Sequence, residues 1–204
     1  MDLVKAKITQ KKNVYVHNDL SQSAFYFKEL IENKLKDGNR SGIAYDYMAC
    51  AVMIAFAFEA NLNFMGYKLI EDWNEWQNWD AKVYAVLKRL EMPIVWAEGP
   101  LSSMRAMKDI RDSLAHGKPL ETTEERILEV KPEDLDRAND LRAQWQKDCN
   151  HEAVFQAYKD MDDLWKEMIQ KSGIPLFNTI TSGEHSITVF GDKDQLPFAI
   201  TQPK

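Results

Sequence analysis

The chain of 204 residues has two cysteines, Cys50 and Cys149, and no Cys-x-x-Cys pair. That argues against a zinc ribbon, a thioredoxin-type site or a disulfide framework, and it fits a reducing compartment. Positive charge is also short. Lysine and arginine total 26 against 32 acidic residues, a formal net charge of −6, which counts against broad, non-specific binding to nucleic acid but leaves room for a local basic site. No group of histidine, cysteine and carboxylate has ligand spacing, so no metal and no cofactor is expected. Asp160, Asp162 and Asp163 lack a histidine or a fourth carboxylate at matching distance and read as a solvated helix face. Long apolar runs are missing. The longest, residues 49–58, is bounded by Asp46 and Glu59 and is too short to span a bilayer. Residues 1–16 carry Lys5, Lys7, Lys11 and Lys12 and lack the apolar centre of a signal peptide. The expectation is a cytoplasmic protein with no membrane contact. There is no internal repeat and no low-complexity stretch.

What the chain does have is enough apolar content for a core. Hydrophobic residues are 45% of the sequence and charged residues 28%, a usual balance for a globular surface. The length suits one domain, or one domain with appendages. Helical spacing dominates. A first helix starts near Asn18 or Asp19, carries Ala24, Phe27, Leu30, Ile31 and Leu35, and stops at Asp37-Gly38. A second runs from Ser41-Gly42 to about Tyr67 and is apolar almost all round, which places it at the centre of a bundle. A third covers about 80–91, before Pro93. A fourth starts near Pro100 and ends at His116-Gly117, where glycine is the expected C-terminal cap. Residues 118–131 read as a polar loop, and 132–149 and 152–171 as two further helices.

Trp73, Trp76 and Trp79 could stack bases, but aromatic packing over the end of the bundle is the expected reading. Two small hairpins are expected, one from residues 3–8 with 14–16, the other from 177–180 with 187–190 around Ser182-Gly183-Glu184. His17, His151 and His185 have no partners by spacing and read as surface residues.

Chemistry concentrates in the segment Arg111-Asp112-Ser113-Leu114-Ala115-His116-Gly117-Lys118-Pro119. Met104, Met107, Ile110 and Leu114 form the apolar stripe of the helix leading into it, and Arg111 falls within their arc. A charge at the edge of a core needs a partner or a cleft. His116 sits at the helix C-terminus, which favours a protonated ring, and Asp112, four residues earlier, could orient it. Arg111 and His116 diverge by roughly 140° on a straight helix, so one chain does not bring them together neatly.

These residues, with the helix ending Phe58-Glu59-Ala60-Asn61-Leu62-Asn63-Phe64-Met65-Gly66, resemble the HEPN family of helical-bundle ribonucleases. The likeness covers about residues 20–119. It implies a mainly α fold with an antiparallel helical bundle over 18–119; residues 120–204 fall outside the likeness, and their helices and short hairpin are expected to pack on the bundle as an extension. It also implies metal-independent cleavage of RNA at a composite site in a homodimer. Arg111 would stabilise charge on the phosphate, His116 would transfer the proton and Asp112 would orient His116. Glu59, Asn63 and Lys118 are candidate supporting or substrate-binding residues, although Glu59 could instead simply pair with Arg111. Many family members are toxins or act in defence against phage, so a cognate antitoxin or defence-system partner is implied. One subgroup has a modified tyrosine two residues after the histidine, and this chain has Lys118 there. The alternative reading, from a different class, is a non-catalytic binding or dimerisation module of the same fold. A concave dimer cleft around His116, lined by Arg111 and Lys118, favours the enzyme; a buried His116 favours the module.

Overall fold

The structure, a computed structural model, describes residues 4–121, 123, 125–134, 142–190 and 198–200. Helix α1, Val16–Lys36, and helix α2, Ile43–Leu69, form an antiparallel pair. Lys34 near the end of α1 meets Asp46 at the start of α2 at 2.6 Å, while His17 at the start of α1 lies against Phe64 near the end of α2. The turn between them needs Gly42, whose φ of 68° lies in the left-handed region that glycine enters without steric cost. Helix α3, Trp79–Arg89, is capped by Asn78, whose side chain accepts from the Ala81 N–H at 2.8 Å. Helix α4, Pro100–Ala115, has its proline in the first turn, where the missing N–H costs nothing. A short α5, Gln144–Asp148, precedes α6, His151–Ser172, which is capped by Asn150.

Helix α2 is the centre. Helices α1, α3, α4 and α6 all pack on it. Its buried residues include Ala51, Ala55 and Ala57, whose small side chains let neighbours approach, and Ile54, Phe58, Leu62 and Met65, which fill the core. By length and composition α2 could cross a membrane, but most of its apolar window is buried inside the bundle. Gly66 is fixed by contact: a Cβ there would lie 2.2 Å from the Trp73 ring. The three tryptophans do not form one platform. Trp73 covers Gly66, Trp79 is buried against Phe58 and Trp96, and Trp76 is 87% exposed.

The strands correct the sequence reading. β1, Lys5–Asn13, pairs antiparallel with β2, Ser182–Phe190, from Lys5 opposite Phe190 to Asn13 opposite Ser182. β3, Phe198–Ile200, adds to the other edge of β2. Neither expected hairpin forms. Val16 opens α1, and Leu176–Thr179 is a 3-10 turn. A nine-residue ladder offers far more pairing than three residues at 14–16 can, so the distant partner wins. The region of the expected helix at 132–149 holds a 3-10 turn, Pro132–Asp134, and α5, while Leu135, Ala138 and Leu141 lie outside the described residues.

Two expected surface residues are buried. Asp160 is part of the α6 core face, where its carboxylate accepts from Ser103 of α4 and from Gln156. His17 is 3% exposed, with its ring 4.4 Å from the Phe64 centroid and 4.9 Å from that of Trp165. His151 is half-buried on Phe155, and His185 is exposed on β2. Burial pushes the His17 pKa down to about 4, with Asp19 partly opposing the shift. The unfolded chain takes this proton near 6.5 and the fold resists it. Stability is therefore expected to fall as pH drops from 6.5 towards 4, because the unfolded state binds more protons in that window. Calorimetric melting across this range should show a slope that His17→Phe removes; an unchanged slope in the variant would place its origin elsewhere.

Candidate functional site

Three helices, α2, α3 and α4, place five charges in one chain. Arg111 of α4 lies at the edge of the core, with its guanidinium carbon 5.5 Å from the centre of the Phe56 ring on α2. Its Nη1 donates to Glu59 Oε2 at 2.7 Å. Its Nε and Nη2 donate to Asp112 Oδ1 at 2.9 and 2.7 Å. The second oxygen of Glu59 accepts from Lys82 Nζ of α3 at 2.7 Å, and that of Asp112 accepts from Lys108 Nζ at 2.7 Å. The order is Lys82, Glu59, Arg111, Asp112, Lys108, alternating in sign and ending on a cation at each side. Lys82 is the most enclosed, its side chain 4% exposed.

Burial alone would raise the Glu59 carboxyl, but the hydrogen bonds from Lys82 and Arg111 outweigh it and hold the pKa below the ordinary value. Asp112 behaves alike, with burial opposed and outweighed by Lys108 and Arg111. For Arg111, burial favours the neutral form, and Glu59 and Asp112 more than reverse that. The result is a fixed cation. Three of its five N–H donors are used in these bonds, leaving one on each terminal nitrogen for an oxyanion.

His116 stands apart. It caps α4, and its backbone N–H donates to the Asp112 carbonyl at 2.9 Å. Its side chain is exposed and makes no hydrogen bond to Asp112 or Arg111. Both Asp112 oxygens are turned to Arg111 and Lys108, because those charges lie on the side of α4 that faces the bundle whereas the imidazole lies past the last helical residue. Lys118 is exposed in the segment that follows. Asn63, one turn beyond Glu59, lines a separate cleft of about 430 Å³ with Lys12, Tyr15 and Tyr67.

The structure thus brings Arg111, Asp112 and Glu59 together and leaves His116, Lys118 and Asn63 outside that group. Lys82 and Lys108 belong to it and were not singled out from the sequence. Lys82 was legible, three residues after Trp79 and four before Val86, both buried. Among the described residues no cluster of histidine, cysteine and carboxylate could hold a metal.

One further feature borders the site. Tyr45, Val52, Phe56 and Tyr67 fall within about 60° of one another around α2. Tyr45, Phe56 and Tyr67 are exposed and Val52 is half-buried. This stripe, apolar except for the half-buried Asn63 within it, runs past Arg111, since Phe56 carries the guanidinium. Comparison with protein-family models, with curated proteins and with solved structures finds no match to this chain.

Proposed function

We propose that the chain is a metal-independent RNA endonuclease of the HEPN type, acting as a homodimer in the cytoplasm, in the manner of a toxin or an anti-phage effector. The observation that carries this reading is the exposed His116 at the end of the helix that holds a fixed, half-buried Arg111. Arg111 offers its two remaining N–H donors to the scissile phosphate and stabilises charge as it builds on the oxygens. His116 takes the proton from a ribose 2′-hydroxyl or gives one to the leaving 5′-oxygen. Within one chain no contact joins the two, so the catalytic pair is completed by His116 of a second copy. The apolar stripe on α2 that borders Arg111 supports such pairing. Asp112 and Glu59 position Arg111, and the exposed Lys118 meets the RNA backbone. A cognate antitoxin or defence-system partner would complete the biology.

The test is cleavage of total RNA by the purified protein with and without EDTA. Cleavage that survives the chelator and leaves a 2′,3′-cyclic phosphate is expected. A magnesium requirement with 5′-phosphate products would replace this mechanism, and light scattering that shows a monomer at micromolar concentration would remove the composite site.

A second reading has its own support. Glu59 and Asp112 together occupy most of Arg111, as a purely structural arginine would be occupied. That arrangement suits a non-catalytic binding or dimerisation module, which would give no cleavage while still forming dimers.

A further inference from the structure

The cleft between α1 and α6 is lined by two residues whose buried polar atoms are left unpaired. Asn61 of α2 contributes from the centre of the bundle, His17, Ser21 and Phe25 come from α1, and Tyr158 and Trp165 from α6. Its volume is about 470 Å³, within the range of small-molecule clefts. Asn61 is 1% exposed and His17 3%, yet Asn61 Oδ1 and His17 Nε2 have no hydrogen-bond partner. The other buried polar residues described, Lys82, Asp160 and Thr179, are all bonded, and three further unpartnered buried atoms, Asn63 Oδ1, Trp73 Nε1 and Arg105 Nε, belong to residues outside this cleft. Orphaned buried polar atoms are costly and rare in native proteins, and each calls for an explanation. Here two of them line one cleft.

The rest of the lining says what would fit. Among the described residues no lysine or arginine is part of it, and the one carboxylate, Asp162, is ion-paired with Lys166. A phosphate or carboxylate would meet no cation there. Phe25 and Tyr158, with ring centres 6.4 Å apart, and Trp165 give aromatic surface for a flat ring.

We propose that this cleft binds a small, uncharged, planar nitrogen heterocycle bearing an amino group, with the amine donating to Asn61 Oδ1 and a ring nitrogen accepting from His17 Nε2. The imidazole suits this role because burial keeps it neutral at ordinary pH, and in its Nε2–H tautomer that nitrogen donates. The site is separate from the Arg111 group and does not depend on RNA being cleaved.

The experiment is an NMR titration of the full chain with 9-methyladenine and, in parallel, with 9-methylpurine, which lacks the amine. The amides of Ser21, Asn61 and Tyr158 are expected to shift with 9-methyladenine, which should bind about tenfold more tightly than 9-methylpurine, as one added hydrogen bond to a buried acceptor gives. Asn61→Leu should bring the two ligands to equal affinity and raise the melting temperature, since it removes an orphaned polar group. Ser21→Trp, on the partly exposed wall of the cleft, should block both ligands without touching the core. Absence of shifts at millimolar 9-methyladenine, equal affinities in the wild-type chain, or binding that persists in Ser21→Trp would each overturn the proposal.

Discussion

Replacing His116 with alanine should abolish RNA cleavage and leave the fold intact. Proton transfer by a placed side chain is worth roughly 10²–10⁴ in rate, and alanine removes all of it. The fold has little to lose. The imidazole is exposed and unbonded, and the bond that His116 does make, from its backbone N–H to the Asp112 carbonyl, survives in alanine. The stability change should stay within about 1 kcal/mol, the size of a charge effect at a helix end. Circular dichroism melting alongside a cleavage assay reads both. Unfolding, or undiminished cleavage, would hand the protein to the non-catalytic reading. The composite site adds a sharper comparison. Arg111→Ala and His116→Ala should each be inactive alone, but a mixed dimer holds one site with both groups intact. Recovery of cleavage on mixing is expected; if both groups acted within one chain, mixing would restore nothing.

The second large effect is on stability and concerns Glu59. Removing one partner from a buried ion pair costs about 3–5 kcal/mol, because the other charge is left in a poor solvent. Glu59→Ala strands Lys82, whose side chain is 4% exposed, and takes from Arg111 one of its two carboxylates. Glu59 is itself a quarter exposed, so the lower end, about 3 kcal/mol in urea unfolding, is expected. The double variant Glu59→Leu with Lys82→Met should recover most of the loss, since apolar replacement of a whole pair is often neutral or better. If the single variant is as stable as the wild type, the pair contributes nothing and Arg111 is held by Asp112 alone. The same pairing has a pH limit. The Glu59 carboxyl is held below its ordinary value, so its contribution is complete above the ordinary carboxylate range and disappears as pH falls through the depressed one.

The helices were largely legible because their signals are local. The expected fourth helix from Pro100 to His116 is α4, Pro100–Ala115, and the all-apolar second helix is α2 at the centre. The arc that placed Arg111 beside Met104, Met107 and Ile110 describes where it lies. What the pattern hid was everything set by a partner elsewhere in the chain. Asp112 satisfies the spacing rule with His116, but Arg111 and Lys108 compete for the same two oxygens and hold them. Asp160 was read with Asp162 and Asp163 as a solvated face, although it sits three residues after Ala157 and four before Leu164, both buried. The helix period alone places it inwards, and the hydroxyl of Ser103 on α4, invisible to periodicity, makes that burial tolerable. His17 shows the same gap. Its burial depends on Trp165, nearly 150 residues away. The short apolar stretches that suggested strands at both ends of the chain carried no address, so each was expected to pair with its own neighbour.

That pairing has a consequence for the order in which the molecule is made. The bundle contacts among α1, α2, α3 and α4 lie within the first 115 residues and can form while the ribosome is still at work. β1 cannot close its ladder until β2 has emerged, more than 160 residues later. At about 5–20 residues per second, β1 waits roughly 10–40 s with its backbone unpaired. During that interval it carries Lys5, Lys7, Lys11 and Lys12, four like charges that discourage one unfinished chain from adding its strand to another.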